Sequence, residues 1–104
     1  MERRVVKPGR AHCAVPFCRI TAPTADGFVD QDFLCRRHWA LRPPALRTEW
    51  LEHSRRQRRN PGAFWDHPPG SAGRIARITI HREHQTLWQR TRATCIEIAM
   101  EVTA

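Results

Sequence analysis

The 104-residue sequence has no apolar run approaching the ~20 residues that a membrane-spanning helix needs. Its opening, Met1-Glu2-Arg3-Arg4-Val5-Val6-Lys7-Pro8, is basic but has no apolar core of the kind a secretory signal carries, which points to a cytoplasmic protein. There are no internal repeats and no low-complexity tract. Lysine is nearly missing, since 17 of the 18 basic side chains are arginine. A chain this short is one domain at most and buries a small fraction of its surface, so a metal staple would matter to it. In a reducing compartment, closely spaced cysteines read as metal ligands, not as disulfides.

The four cysteines are unevenly placed. Three fall in the string Cys13-x4-Cys18-x16-Cys35-x2-His38, two short chelating pairs separated by a loop. Zinc takes four soft or borderline donors in a tetrahedron, and two close pairs supply them with little loss of chain entropy. The expected ligands are therefore Cys13, Cys18, Cys35 and His38, holding a structural Zn2+ with no position left for water. His12 is the rival fourth ligand. It adjoins Cys13, and neighbouring residues rarely chelate one ion well, so His38 is preferred. Zinc binding in small modules is itself folding free energy, on the order of 10 kcal/mol.

Organisation follows from the punctuation of the chain. Residues 1–11 read as a flexible basic arm and residues 12–42 as the zinc module. Asp26-Gly27 is a hairpin turn signal, and Phe28 and Phe33 are expected to cover the metal. Cys35 to Leu41 suits the first turn of a short helix, in which a cysteine and a histidine three apart face the same side. Residues 43–104 form the helical part. Pro43 or Pro44 opens a helix over about 44–59, with Ala45, Leu46, Trp50 and Leu51 as its apolar stripe. Asn60-Pro61-Gly62 ends it, and residues 60–73 form a loop whose Phe64 and Trp65 either dock on the core or meet a partner. A long helix then runs over about 75–102, with Leu87, Trp88, Thr91, Cys95, Ile98, Ala99 and Val102 on one face. The stretch 74–80 fits either helix or a short strand, and helix is preferred because no second strong strand pairs with it. The expected fold is thus a small, mainly α, zinc-stabilised single domain: a treble-clef-like zinc module with a short β-hairpin, followed by two to three helices.

Charge is as uneven as cysteine. The formal net charge is +8, and the segment Arg36–Arg59 holds eight arginines against Glu49 and Glu52. Arg36, Arg37, Arg42, Arg47, Arg55, Arg56, Arg58 and Arg59 are the candidate contacts to a polyanion, because arginine makes planar bidentate contacts with phosphate and guanine. An arginine-rich helix end also serves as a solubilising surface, and a GC-rich genome encodes arginine often.

Other chemistry-bearing residues have plainer readings. Cys95 lies on the apolar face of the last helix and reads as a small buried hydrophobe. His81 and His84 stand at metal-like spacing but lack a second pair, so they read as a solvated helix face. Asp66-His67 resembles the start of an HNH nuclease motif. That chemistry needs a downstream asparagine and a further metal-holding residue, and no asparagine follows Asn60.

The blocks Cys13-Ala14-Val15-Pro16-x-Cys18 and Leu34-Cys35-Arg36-Arg37-His38-Trp39 resemble the small treble-clef-like zinc motif of phage and prophage proteins, including the module attached to some phage HNH endonucleases. The run from His38 through Trp50 is similar to short phage proteins with the same Cys-x-x-His-Trp block. The resemblance covers about the first half of the chain. It implies a knuckle for the first ligand pair, a hairpin after it, a helix opened by the second pair, a mobile-element origin and contact with DNA. The expected function is a small basic zinc-binding protein that binds nucleic acid in the bacterial host cytoplasm and is not an enzyme. The alternatives are an inhibitor of a host protein complex, anti-CRISPR-like or transcription-directed, and an HNH-type nuclease or its remnant. The apolar face of the last helix also leaves room for a homodimer.

Overall fold

A computed structural model describes residues 9–24 and 32–103. The protein is small and mostly helical, with a two-stranded hairpin and a Cys3His cluster. The order is β1 (Arg10–His12), β2 (Thr21–Pro23), α1 (Arg36–Trp39), α2 (Pro44–Arg59), a 3-10 turn (Phe64–Asp66) and α3 (Ala72–Thr103). The chain divides into two compact units, one of residues 1–41 with 92–104 and one of residues 42–91, so α3 contributes to both. No helix among the described residues is long and apolar enough to cross a membrane.

In the first unit, β1 and β2 pair antiparallel with Arg10 opposite Pro23, Ala11 opposite Ala22 and His12 opposite Thr21. Proline lacks an N–H, and a two-stranded ladder leaves it an outer edge where none is needed. The hairpin straddles the first ligand pair, where the sequence suggests a hairpin after it. The Asp26-Gly27 turn, Phe28 and residues 1–8 of the expected 1–11 arm lie outside the described residues, whereas Arg10 and Ala11 of that arm belong to β1. The chain returns at Asp32, which accepts a hydrogen bond from Arg92 Nε of α3. Phe33 bridges to Cys13, and its carbonyl accepts the Ala14 N–H at 2.7 Å. Among the described residues, Ala11, Val15, Leu34, Cys95 and Ala99 are the buried apolar side chains of this unit besides the three cysteines of the cluster.

In the second unit, α2 begins with Pro43 as N-cap and Pro44 in the first turn, where a missing N–H costs nothing. It ends at Asn60, whose Nδ2 donates to the Arg56 carbonyl at 3.0 Å. Gly62 follows at φ 88°, a left-handed conformation that favours glycine. The apolar stripe differs from the expected one. Leu46 and His53 are buried and Trp50 is half-buried, whereas Leu51 is 60% exposed. Positions 46, 50 and 53 share a face at 3.6 residues per turn, and position 51 is turned 100° from position 50. The 60–73 loop is not wholly irregular, since Asp66 Oδ2 accepts the Ala63 N–H at 2.8 Å across the 3-10 turn. Ser71 then caps α3, accepting the Arg74 N–H at 3.3 Å, so the ambiguous stretch 74–80 is helix. On α3, Ile80, Leu87 and Thr91 are buried in this unit.

Candidate functional site

The Cys3His cluster is built from two local devices and one long-range link. Cys13 leaves β1 with its N–H on the Ile20 carbonyl at 2.9 Å, and a tight turn brings the Cys18 N–H to the Val15 carbonyl at 3.0 Å. Cys35 is the N-cap of α1 and His38 lies within that helix, so the three-residue spacing puts both donors on one side. The Cys35 N–H donates to Cys13 Sγ at 3.3 Å and ties the two pairs together. His38 Nδ1 stands 3.4 Å from Cys13 Sγ and 3.2 Å from Cys35 Sγ, and Cys18 Sγ is 3.9 Å from Cys35 Sγ. All four donor atoms lie within 4.8 Å of one another, and all four residues are buried.

Those spacings suit a shared ion. Donors about 2.0–2.3 Å from a tetrahedral metal stand about 3.5–3.8 Å apart. The electrostatics agree with the geometry. Burial pushes the Cys13 thiol up to about 11 despite the backbone N–H groups around it. Burial also acts on Cys35, but hydrogen bonds from the His38 backbone and from the Cys13 and Cys18 thiols outweigh it and hold that thiol below its ordinary value. Burial, followed by the charge of Arg37, lowers His38 and keeps it the neutral imidazole that a metal requires. Three buried sulfurs facing one another repel once ionised, and a cation removes that penalty.

His12, the rival ligand, is outside the cluster, and both of its ring nitrogens are buried without a hydrogen-bond partner. Among the described residues, the Phe17 ring lies edge-on to His38 at 5.9 Å between centroids, and the Phe33 carbonyl holds the Ala14 N–H beside the cluster. Phe17 sits inside the first ligand pair, a position that could have flagged it in the sequence.

The candidate arginines fall in both units. Arg36 and Arg37 are exposed on α1. In the other unit Arg47, Arg55, Arg56, Arg58 and Arg59 are exposed along α2, and Arg42 precedes it half-buried. Arg47 Nε donates to the Arg42 carbonyl at 2.9 Å, and Arg56 Nε donates to Glu83 at 3.0 Å. Glu49 of α2 is held in a two-point pair by Arg90, which keeps its carboxyl below the usual range.

Asp66 and His67 serve the loop. Asp66 closes the 3-10 turn. The His67 ring packs so close to Gly73 that a Cβ there would lie 2.5 Å from its Nδ1. Trp65 is 71% exposed and does not dock, although Phe64 holds its ring at 5.1 Å. Cys95 is fully buried.

Sequence reasoning missed His53, which is 1% exposed. Its Nε2 lies 3.1 Å from His84 Nδ1, and both rings lie edge-on to Trp50. His84 is therefore not merely a solvated side chain. The available signal was a histidine at the 46–50–53 spacing of a buried stripe. No protein-family model, curated protein or solved structure matches this chain.

Proposed function

We propose that the chain is a small zinc-stabilised binding protein of mobile-element type, and that its ligand is nucleic acid. One observation carries this reading: the outward face of α2. Arg55 and Arg59 are exposed on the side of the helix opposite Leu46, Trp50 and His53, Arg47 and Arg58 are exposed on one flank of that side, and Glu52 lies beside Arg59. Such a row of guanidinium groups tracks phosphates, and its affinity falls steeply as salt rises. Arg36 and Arg37 add charge on the metal module. Three thiolates and one imidazole fill a zinc coordination sphere, so the ion is structural and the protein acts by binding, not by catalysis. The knuckle between β1 and β2, with the second ligand pair opening α1, supports a treble-clef-like module.

The test is a mobility shift with generic duplex and single-stranded DNA at low salt. The expected shift disappears when Arg55, Arg58 and Arg59 are replaced by glutamate. A shift that survives this reversal overturns the reading. Native mass spectrometry with one bound zinc is the expected result for the metal, and an unmodified mass overturns it. A second reading, a modulator of a host protein complex, is favoured by the exposure of Trp65 and of Ile75 at 58%. It predicts nuclease-resistant co-purification with that complex and no mobility shift.

A further inference from the structure

Trp65 is 71% exposed, yet the loop that carries it is tied down. The 3-10 turn is closed by the Ala63 N–H on the Asp66 carboxylate at 2.8 Å and by the His67 N–H on the Phe64 carbonyl at 3.2 Å. Both ends of the loop are also fastened to α3, within the unit of residues 42–91. Arg77 Nη1 donates to the Asn60 carbonyl at 2.6 Å, and Arg74 Nη1 donates to the His67 carbonyl at 3.3 Å. Positions 74 and 77 are three apart on α3 and so share a face. Phe64 packs edge-on against the Trp65 ring at 5.1 Å between centroids. A ring already held in place loses little freedom when something binds to it.

The charge around the ring selects the partner. Residues 53–82 hold seven arginines against a single acid, Asp66, whose carboxylate is turned onto its own loop. Arg58 and Arg59 are exposed at the end of α2 that leads into this loop. The Arg74 guanidinium lies 5.1 Å from the centre of the Phe64 ring, one ring away from the indole. The centre of a protein–protein contact is depleted of charge. Cations interleaved with exposed aromatic rings instead match single-stranded nucleic acid, whose phosphates meet arginine while its bases stack on rings. A duplex keeps its base faces covered by neighbouring pairs and offers the indole none.

We infer that Trp65 is a base-stacking platform and that the nucleic acid this protein takes is single-stranded. The inference rests on the reading of the α2 arginines as phosphate contacts and adds the feature that chooses between single strand and duplex. Arg58 and Arg59 hold the backbone of the strand, and an unpaired base lies against the indole. Phe64 is a positioning residue that fixes the angle of that ring. Stacking engages the face of the base and not the sugar, so a DNA strand serves as the probe.

The full chain is titrated at low salt with a short labelled DNA strand of mixed sequence, with an abasic strand of the same length and with the matching duplex, and binding is read by fluorescence anisotropy. The mixed strand is expected to bind on the order of 10-fold more tightly than the abasic strand, and more tightly than the duplex. Trp65→Ala removes that advantage and leaves the affinities for abasic strand and duplex unchanged. Trp65→Phe retains most of the advantage, and thermal unfolding is the same in both variants. The slope of affinity against salt is unaltered in Trp65→Ala, because no phosphate contact is lost, whereas Arg58→Gln combined with Arg59→Gln lowers it. Equal affinity for mixed and abasic strands, tighter binding of the duplex, or an advantage that survives Trp65→Ala each overturns the proposal and leaves the arginine reading standing. Binding to none of the three probes overturns both, and loss of host-complex co-purification in Trp65→Ala then assigns the ring to a protein partner.

Discussion

The two units solve the same problem of scale in opposite ways. In the unit of residues 1–41 and 92–104, the interior is built around three thiols and an imidazole. A cation shared by these donors would link them, and on that reading metal completes an interior that protein alone leaves open. In the unit of residues 42–91, the polar interior largely closes on itself. Trp50 Nε1 donates to Thr91 Oγ1 at 2.8 Å, and Thr91 donates onward to the Leu87 carbonyl at 2.7 Å. Small proteins lack apolar volume, and either a metal or a satisfied hydrogen-bond chain stands in for it.

The largest test of that contrast is removal of the metal. Chelation, or Cys35→Ser, is expected to withdraw on the order of 10 kcal/mol of binding free energy from the first unit. Amide exchange should become fast across β1, β2 and α1 while α2 stays protected. Loss of α2 protection at the same chelator concentration would show that the contrast is false. Next in size, Leu46→Ala should destabilise the second unit by about 2–5 kcal/mol in denaturant unfolding, because Leu46 is 6% exposed. Its metal content should not change.

A smaller effect, about 1–2 kcal/mol, is expected for Thr91→Val. The shape is kept, but the acceptor for Trp50 and the bond to Leu87 are lost, and a shift in indole fluorescence should accompany the change. The smallest effect is one of pH. Burial, followed by the charges of His53 and His81, lowers the folded-state pKa of His84 below its ordinary value. The unfolded chain therefore takes up the proton first. The stability of the second unit should be fully present above about pH 6.5 and decline as the solution is acidified below it. His84→Asn should flatten that decline between pH 7 and pH 5, and a slope unchanged by the substitution would dissociate it from this residue.

Features set by neighbours in the chain were legible in the sequence. The ligand pairs announce themselves by spacing, and α2 runs from Pro44 to Arg59 because proline opens it and Asn60-Pro61-Gly62 closes it. Features set across the fold were not. The strands are three residues each, too short to show alternation. Hydrophobicity alone does not separate position 51 from position 50, so the sequence pattern puts Leu51 on the apolar stripe. His53 shows in the sequence only its place on the 46–50–53 stripe, since its partner is 31 residues away on another helix.

That α3 belongs to both units has a consequence for the order of assembly. The four ligands lie within a 26-residue stretch near the start of the chain, so the ion can be captured early and locally. Residues 92–104, which complete that unit, are synthesised only after residues 42–91. Continuous α3 carries the chain from the second unit back to the first, so the module of residues 12–42 waits through the synthesis of residues 43–91 for the segment that completes its unit.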